Sequence, residues 1–263
     1  MSLNRLDLTY SLATGNTPLF INSGIAGPES ISWDPVFDPE LAEGDSDADA
    51  KAFAGRIRDP RLATVFRDLR GVAEAANARV VRGARIPGVS FCRAVSAAQA
   101  RLLLLRGGLA DVADECLRLG LLAFLSVTMF QSPANRRGSL HALAHGRDPG
   151  RHDESPDRRR MHIASQLRDV CRVVEASDPH LRRLLFWVLT VAAMSVFDVG
   201  EEPWLARKWA QVAGEADQAP SSSWDAAHAE LRCVVWIDCI LDGPGRKLYA
   251  RLAAHSAAAT SGS

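Results

Sequence analysis

The sequence predicts an all-α protein, a single irregular multi-helix bundle entered through a poorly structured acidic N-terminal arm. Three observations lead there. Beyond residue 56 the apolar residues recur at the three-to-four spacing of a helix face. No stretch sustains the period-two alternation of β-branched residues that a half-buried strand requires. Two Asp-Pro pairs, Asp59-Pro60 and Asp178-Pro179, each place a capping carboxylate before a proline suited to the first helical turn. With 263 residues, 47% of them apolar, the chain is long enough to bury a substantial core.

Residues 1–55 form the expected arm. Gly15, Pro18, Gly24, Gly27, Pro28, Pro35 and Pro39 punctuate it too often for a long helix. Residues 1–50 hold nine acids against one base, Arg5, in a chain whose overall formal charge is zero. From Ile31 to Leu41 carboxylates alternate with large apolar groups, and a purely acidic tract follows. Disordered activation segments use this composition, because charge keeps the apolar groups solvated until a partner groove takes them. Trp33, Phe37 and Leu41 are the candidate anchors; the alternative is that Trp33 and Phe37 pack onto their own domain. Asp45-Ser-Asp47-Ala-Asp49 imitates a calcium loop, but Ala50 and Arg56 occupy the positions of the required glycine and bidentate glutamate.

The helical body spans 56–256. Leu62, Val65, Phe66, Leu69, Val72 and Ala73 line one face of the first helix after Pro60. A second helix is expected from Ser96 to about Arg106, stopped by Gly107-Gly108, and a third from Leu109 to about Phe130. Gly120 inside the third costs about 1 kcal/mol against alanine, which implies a second helix crossing close to it. Residues 131–160 read as a surface loop with a short helix at Ser139–Ala144. Helices resume over Met161–Ala176 and after Pro179. The run Leu184–Phe197 is too short for a membrane span of roughly 20 residues and is expected as a buried core helix. Glu201–Glu215, Trp224–Leu241 and Arg246–His255 complete the set, with Gly243-Pro244-Gly245 ending one helix and turning into the next. Residues 257–263 are a disordered tail. Asp238, inside an apolar run, needs a cationic partner or helix-terminal amides.

Composition and motifs exclude more than they assign. A balanced net charge gives no global attraction to nucleic acid. Five cysteines, an odd number lying mostly in apolar runs, suit thiols in a reducing compartment rather than a disulfide framework. No secretory leader pattern opens the chain, so an intracellular, soluble protein with no membrane association is expected. The G-x-S-x-G, Walker, H-E-x-x-H and dinucleotide patterns are missing. No enzymatic activity, cofactor or metal is therefore expected. His141 and His145 have the i, i+4 spacing of a metal pair, but no carboxylate or thiol completes a rigid set, and a histidine-bearing loop is the reading preferred.

Three blocks in order then carry a resemblance. The first is Asp114-Glu-Cys-Leu-Arg118-Leu119-Gly120-Leu-Leu-Ala-Phe-Leu125. The second is an apolar helix ending at Ser195-Val-Phe197, followed by Glu202-Pro203-Trp204. The third is Trp236-Ile-Asp238 followed by Asp242-Gly243-Pro244-Gly245. Together they span Leu109 to Leu252 and resemble the fungal-specific regulatory domain that follows the binuclear zinc cluster in fungal transcription factors. The resemblance implies a transcriptional regulator or regulatory domain in the nucleus, with the cytoplasm as alternative. It also implies protein partners (a second copy of the chain or the transcription machinery) and a small-molecule effector. The finger of that family needs C-x-x-C pairs; none occurs here, so direct DNA binding is not expected of this chain. A helical interaction scaffold without transcriptional role and a metabolite-modifying helical enzyme remain the alternatives.

Overall fold

A computed structural model describes residues 32–37, 48–83, 88–131, 156–197, 199–200, 202–214 and 223–261. The described residues form nine helices and no strand: α1 (Ala48–Ala54), α2 (Pro60–Val81), α3 (Gly88–Leu104), α4 (Val112–Gln131), α5 (Pro156–Val173), α6 (Pro179–Ser195), α7 (Pro203–Gly214), α8 (Trp224–Val234) and α9 (Asp238–Ser261). The fold is all-α, as the apolar spacing predicts.

Both Asp-Pro starts work as read. The Asp59 carboxylate accepts from the N–H groups of Arg61 and Leu62, and the Asp178 carboxylate accepts from Leu181 N–H. Asp59 is reinforced from behind, since Asp114 on α4 accepts from the backbone N–H groups of Arg58 (3.2 Å) and Asp59 (2.8 Å). The Arg61 guanidinium hydrogen-bonded to Asp59 holds its carboxyl below the ordinary range, whereas burial pushes Asp114 up. Gly107, at φ 69°, supplies the left-handed residue that stops the chain after α3.

Helix α6 is the axis of the bundle. Leu184 through Ala192 are buried without interruption, and α4, α5, α7, α8 and α9 all pack against it. An apolar run of this kind has no solvent face to give up, so it must be surrounded. Its closest partner is α4, and Gly120 is the reason. A Cβ there would lie 2.7 Å from Trp187 Cζ3 and 2.8 Å from Val188 Cγ2. The close crossing expected from a mid-helix glycine is thus present, with α6 as the crossing helix. Among the described residues no helix is long and apolar enough to cross a membrane.

The tryptophans knit the outer helices to this axis. Trp187 donates its indole N–H to Val235 O (2.8 Å), and Trp209 donates to Thr190 Oγ1 (3.1 Å). Ring contacts run from Phe186 through Trp209, Tyr249 and Trp224 to Trp236. None of the four cysteines with described side chains is in a disulfide; Cys116, Cys171 and Cys233 are buried and Cys239 is exposed. A hydrogen bond with Cys171 and burial hold the Cys116 thiol well above its ordinary value, which suits a structural rather than a reactive cysteine.

Several boundaries differ from the sequence reading. Helix α1 lies inside the stretch expected as an arm, with Ala50 and Phe53 buried. Helix α3 starts at Gly88, well before Ser96, and α5 starts at Pro156, where a loop was expected to continue to residue 160. The largest correction concerns residues 224–255. Trp224–Leu241 is not one helix: Val235 is extended (φ −147°, ψ 121°), and the chain turns there rather than at Gly243-Pro244-Gly245. Pro244 lies within α9, which runs without a break through the expected start at Arg246 to Ser261. Val235, Trp236 and Ile237 are all in the core, and the corner is fixed by tertiary hydrogen bonds: Val235 O accepts from the Trp187 indole, Trp236 O from Asn77.

The turn is clasped by a buried side chain on α2. Asn77 donates from Nδ2 to Trp236 O and accepts at Oδ1 from Asp238 N–H, both at 2.9 Å. Asn77→Ala would strand a buried donor and a buried acceptor, at about 1–3 kcal/mol each. Urea unfolding should register a loss of about 2–4 kcal/mol, and a loss under 1 would show the clasp to be incidental.

His180 provides a pH signature. Its ring lies 4.5 Å from that of Phe53, and burial holds the imidazole below its ordinary value of 6.5. A depressed histidine contributes stability above the unfolded value and loses it as pH falls through the folded one. Stability should therefore decline as pH falls below the ordinary histidine value of 6.5, and His180→Phe should remove this part of the slope in denaturation curves taken on the acid side of it.

Candidate functional site

The described structure brings the motif residues into three junctions of the bundle. At the first, Arg118 is buried and each of its three guanidinium nitrogens makes a hydrogen bond. Two N–H groups meet the Glu115 carboxylate at 2.6 Å, and Nη1 donates to Leu102 O at 3.1 Å, satisfying a terminal carbonyl of α3. Leu119 is in the core and Gly120 seats Trp187.

At the second, Pro203 opens α7. Glu202 bonds Arg168 of α5 and accepts from the Trp204 indole, and Trp204 stands edge-on to Phe197 at 5.3 Å. Beside them lies an open depression of about 280 Å³ lined by Cys171, Arg172, Trp204, Arg207, Lys208 and Gln211. Its cations suit an anionic group, but it is too open to enclose a ligand in the way that small-molecule sites do.

At the third, Trp236 is buried and donates to Asp242 Oδ1 at 2.8 Å. Gly245 is needed for packing rather than for a turn, because a Cβ there would meet the Trp224 and Trp236 rings at 2.9 Å. Gly243 is exposed and Pro244 half-buried. Asp238 begins α9, half-buried, and faces His228 Nε2 at 3.2 Å and Arg232 Nε at 3.7 Å. Its expected cationic partner is present only at the longer distance; the nearer group is a histidine that the sequence reading did not single out. Among the described residues, His228, Asp238 and Asp242 are the grouping whose ligand atoms could hold a metal. His141, His145 and Leu41 lie outside the described residues.

The arm contributes the most specific arrangement. Residues 32–37 (Ser-Trp-Asp-Pro-Val-Phe) lie against α2 and α3, bent at Asp34 and Phe37 and read by a buried ion pair. Arg101 Nη1 meets Asp68 Oδ2 at 3.1 Å, with both side chains about 5% exposed or less. The Asp68 carboxylate accepts from the backbone N–H groups of Val36 (3.1 Å) and Phe37 (3.3 Å). Arg101 Nη2 donates to the carbonyls of Ser32 (2.5 Å) and Asp34 (2.7 Å). An acceptor-only group and a donor-only group thus read the two kinds of backbone polar group on one strand of chain. Trp33 lies against the guanidiniums of Arg61 (5.8 Å) and Arg101 (5.9 Å). Phe37 occupies the space that a side chain at Gly71 would fill, 2.6 Å from its Cδ1. Between the two readings of this segment, Trp33 and Phe37 are seated on their own domain. Sequence composition identified the aromatics, but the seat is assembled from α2 and α3 positions 33 residues apart and has no local signature.

Comparison with protein-family models, with curated proteins and with solved structures returns no match. The resemblance to the fungal regulatory domain therefore rests on the residues alone.

Proposed function

We propose that this chain is a helical regulatory module of transcription, of the kind found beside fungal zinc clusters, that works through contact with protein partners and a small-molecule effector. The reading assigns it no reaction and no DNA-reading element of its own, and places its work in the nucleus. The observation that carries it is the seat of residues 32–37. An acidic, aromatic segment of the composition used for activation is held on the body by backbone hydrogen bonds, by cations around Trp33 and by the hollow at Gly71. In such a seat the main-chain hydrogen bonds hold the segment, while the places taken by Trp33 and Phe37 select its side chains. Held there, the segment is occupied; lifted off, Trp33 and Phe37 are offered to a partner.

Gly71→Ala separates the two states. The three nearest neighbours of the added methyl are Phe37 ring atoms, two of them under 3.0 Å, so the ring is displaced, while alanine favours helix α2 by about 1 kcal/mol. The full chain fused to a foreign DNA-binding domain should alter transcription of a reporter, and Gly71→Ala should strengthen the effect. A reporter unmoved by either form would overturn the transcriptional reading. The seat alone would then favour the second reading, an interaction scaffold without transcriptional role.

A further inference from the structure

The third junction holds a set of side chains that packing alone does not require. His228 on α8 directs Nε2 at two carboxylates one helical turn apart on α9, Asp238 Oδ1 at 3.2 Å and Asp242 Oδ1 at 3.1 Å. All three ligand atoms lie within 4.8 Å of one another. Donors held about 2.0–2.2 Å from one metal ion stand roughly 3–3.5 Å apart, so the spacing suits a shared ion as well as a shared proton. We propose that His228, Asp238 and Asp242 bind one divalent first-row transition ion.

Three further features make this a built site rather than a chance meeting of surface charges. The imidazole is fixed between two indoles: it stacks on Trp224 (5.6 Å, 22°) and stands edge-on to Trp236 (6.3 Å, 76°). Ring orientation is therefore set before any ion arrives, which removes an ordering cost. The Trp236 indole N–H donates to the ligating oxygen of Asp242, an outer partner of the sort that orients carboxylate ligands. Asn77 pins the backbone of Asp238 through its N–H, so the α8–α9 corner carries the ligands as a rigid frame. The cation nearest the carboxylates, Arg232, is half exposed and only 3.7 Å from Asp238, a loose pair that an ion can replace.

The donor set selects the ion. One imidazole nitrogen with two carboxylate oxygens suits zinc, manganese, iron(II) or cobalt(II), and the nitrogen disfavours magnesium and calcium. Three protein ligands leave at least one coordination position open to water or to a group from a partner. The proposal does not depend on the transcriptional reading, since it rests on different residues.

Trp224 and Trp236 are built-in reporters. Zinc titrated into the full chain should quench or shift tryptophan emission and show one saturable site by calorimetry, with a micromolar dissociation constant. His228→Gln and Asp242→Asn should each weaken binding at least about tenfold. Asp242→Asn retains a carbonyl oxygen for the Trp236 N–H, and so serves even where His228→Gln disturbs the corner. Cys239→Ser, removing the exposed thiol, should leave affinity unchanged. Cobalt bound in place of zinc should show no sulfur-to-metal charge transfer. Wild-type protein that fails to bind, binding in both ligand variants as tight as in the wild type, or a thiolate signature would overturn the proposal.

Discussion

Arg101→Met should both destabilise the protein and release residues 32–37. The substitution leaves Asp68 facing no cation while its carboxylate is about 95% enclosed. An uncompensated buried charge costs about 3–5 kcal/mol. The chain has one cheaper response, which is to lift residues 32–37 and let water reach the carboxylate. Lifting forfeits the partial burial of two side chains, Trp33 and Phe37; full burial contributes about 1.5–3 kcal/mol each, so half of it for both is about 1.5–3 kcal/mol together. The smaller cost wins, so a loss near 3 kcal/mol is expected together with exposure of the segment. Asp68→Asn added to Arg101→Met removes the stranded charge and should recover part of the loss, giving a coupling of about 1–3 kcal/mol in the double-mutant cycle. Equal and additive losses would mean that the pair does not act as a unit.

Trp187→Ala is expected to be the most damaging single core change. The side chain is fully buried at the crossing of α4 and α6, beside Phe124 at 6.2 Å, and it holds Val235 O at 2.8 Å. Truncation removes about 3–5 kcal/mol through lost burial and the cavity left behind, and it frees the carbonyl at the α8–α9 corner. Gly120→Ala tests the same contact from the other side. Its methyl would stand 2.7 Å from the indole, so overpacking of about 1–3 kcal/mol should outweigh the gain in helix propensity. Trp187→Leu with Gly120→Ala should cost less than the sum of the two single changes, because the smaller side chain makes room for the methyl.

What the sequence could and could not reveal follows from where each signal resides. The caps at Asp59 and Asp178 are local hydrogen bonds within three residues, and both were legible. The buried axis Leu184–Ala192 was legible because no solvent face interrupts it, and the crossing at Gly120 because a helix-interior glycine needs a packing reason. Gly243-Pro244-Gly245 misled, since local propensity names a turn while hydrogen bonds from Trp187 and Asn77 hold it eight residues earlier. The aromatics of the arm were visible as composition. Their seat was not, because Asp68, Gly71 and Arg101 meet only once α2 and α3 are side by side. His228 has no local signature for the same reason: its carboxylates lie 10 and 14 residues away on another helix, whereas the i, i+4 spacing of His141 and His145 is a local pattern.

The most direct test of the account is amide hydrogen exchange at Val36 and Phe37, whose N–H groups both end on Asp68, with the amides of α6 as an internal standard. Both should be protected in the wild-type chain and lose protection in Gly71→Ala, while α6 exchanges at the same slow rate in the two proteins. Exchange at Val36 and Phe37 as fast as in an unstructured peptide in the wild-type chain would contradict the seated segment and the proposed regulation with it.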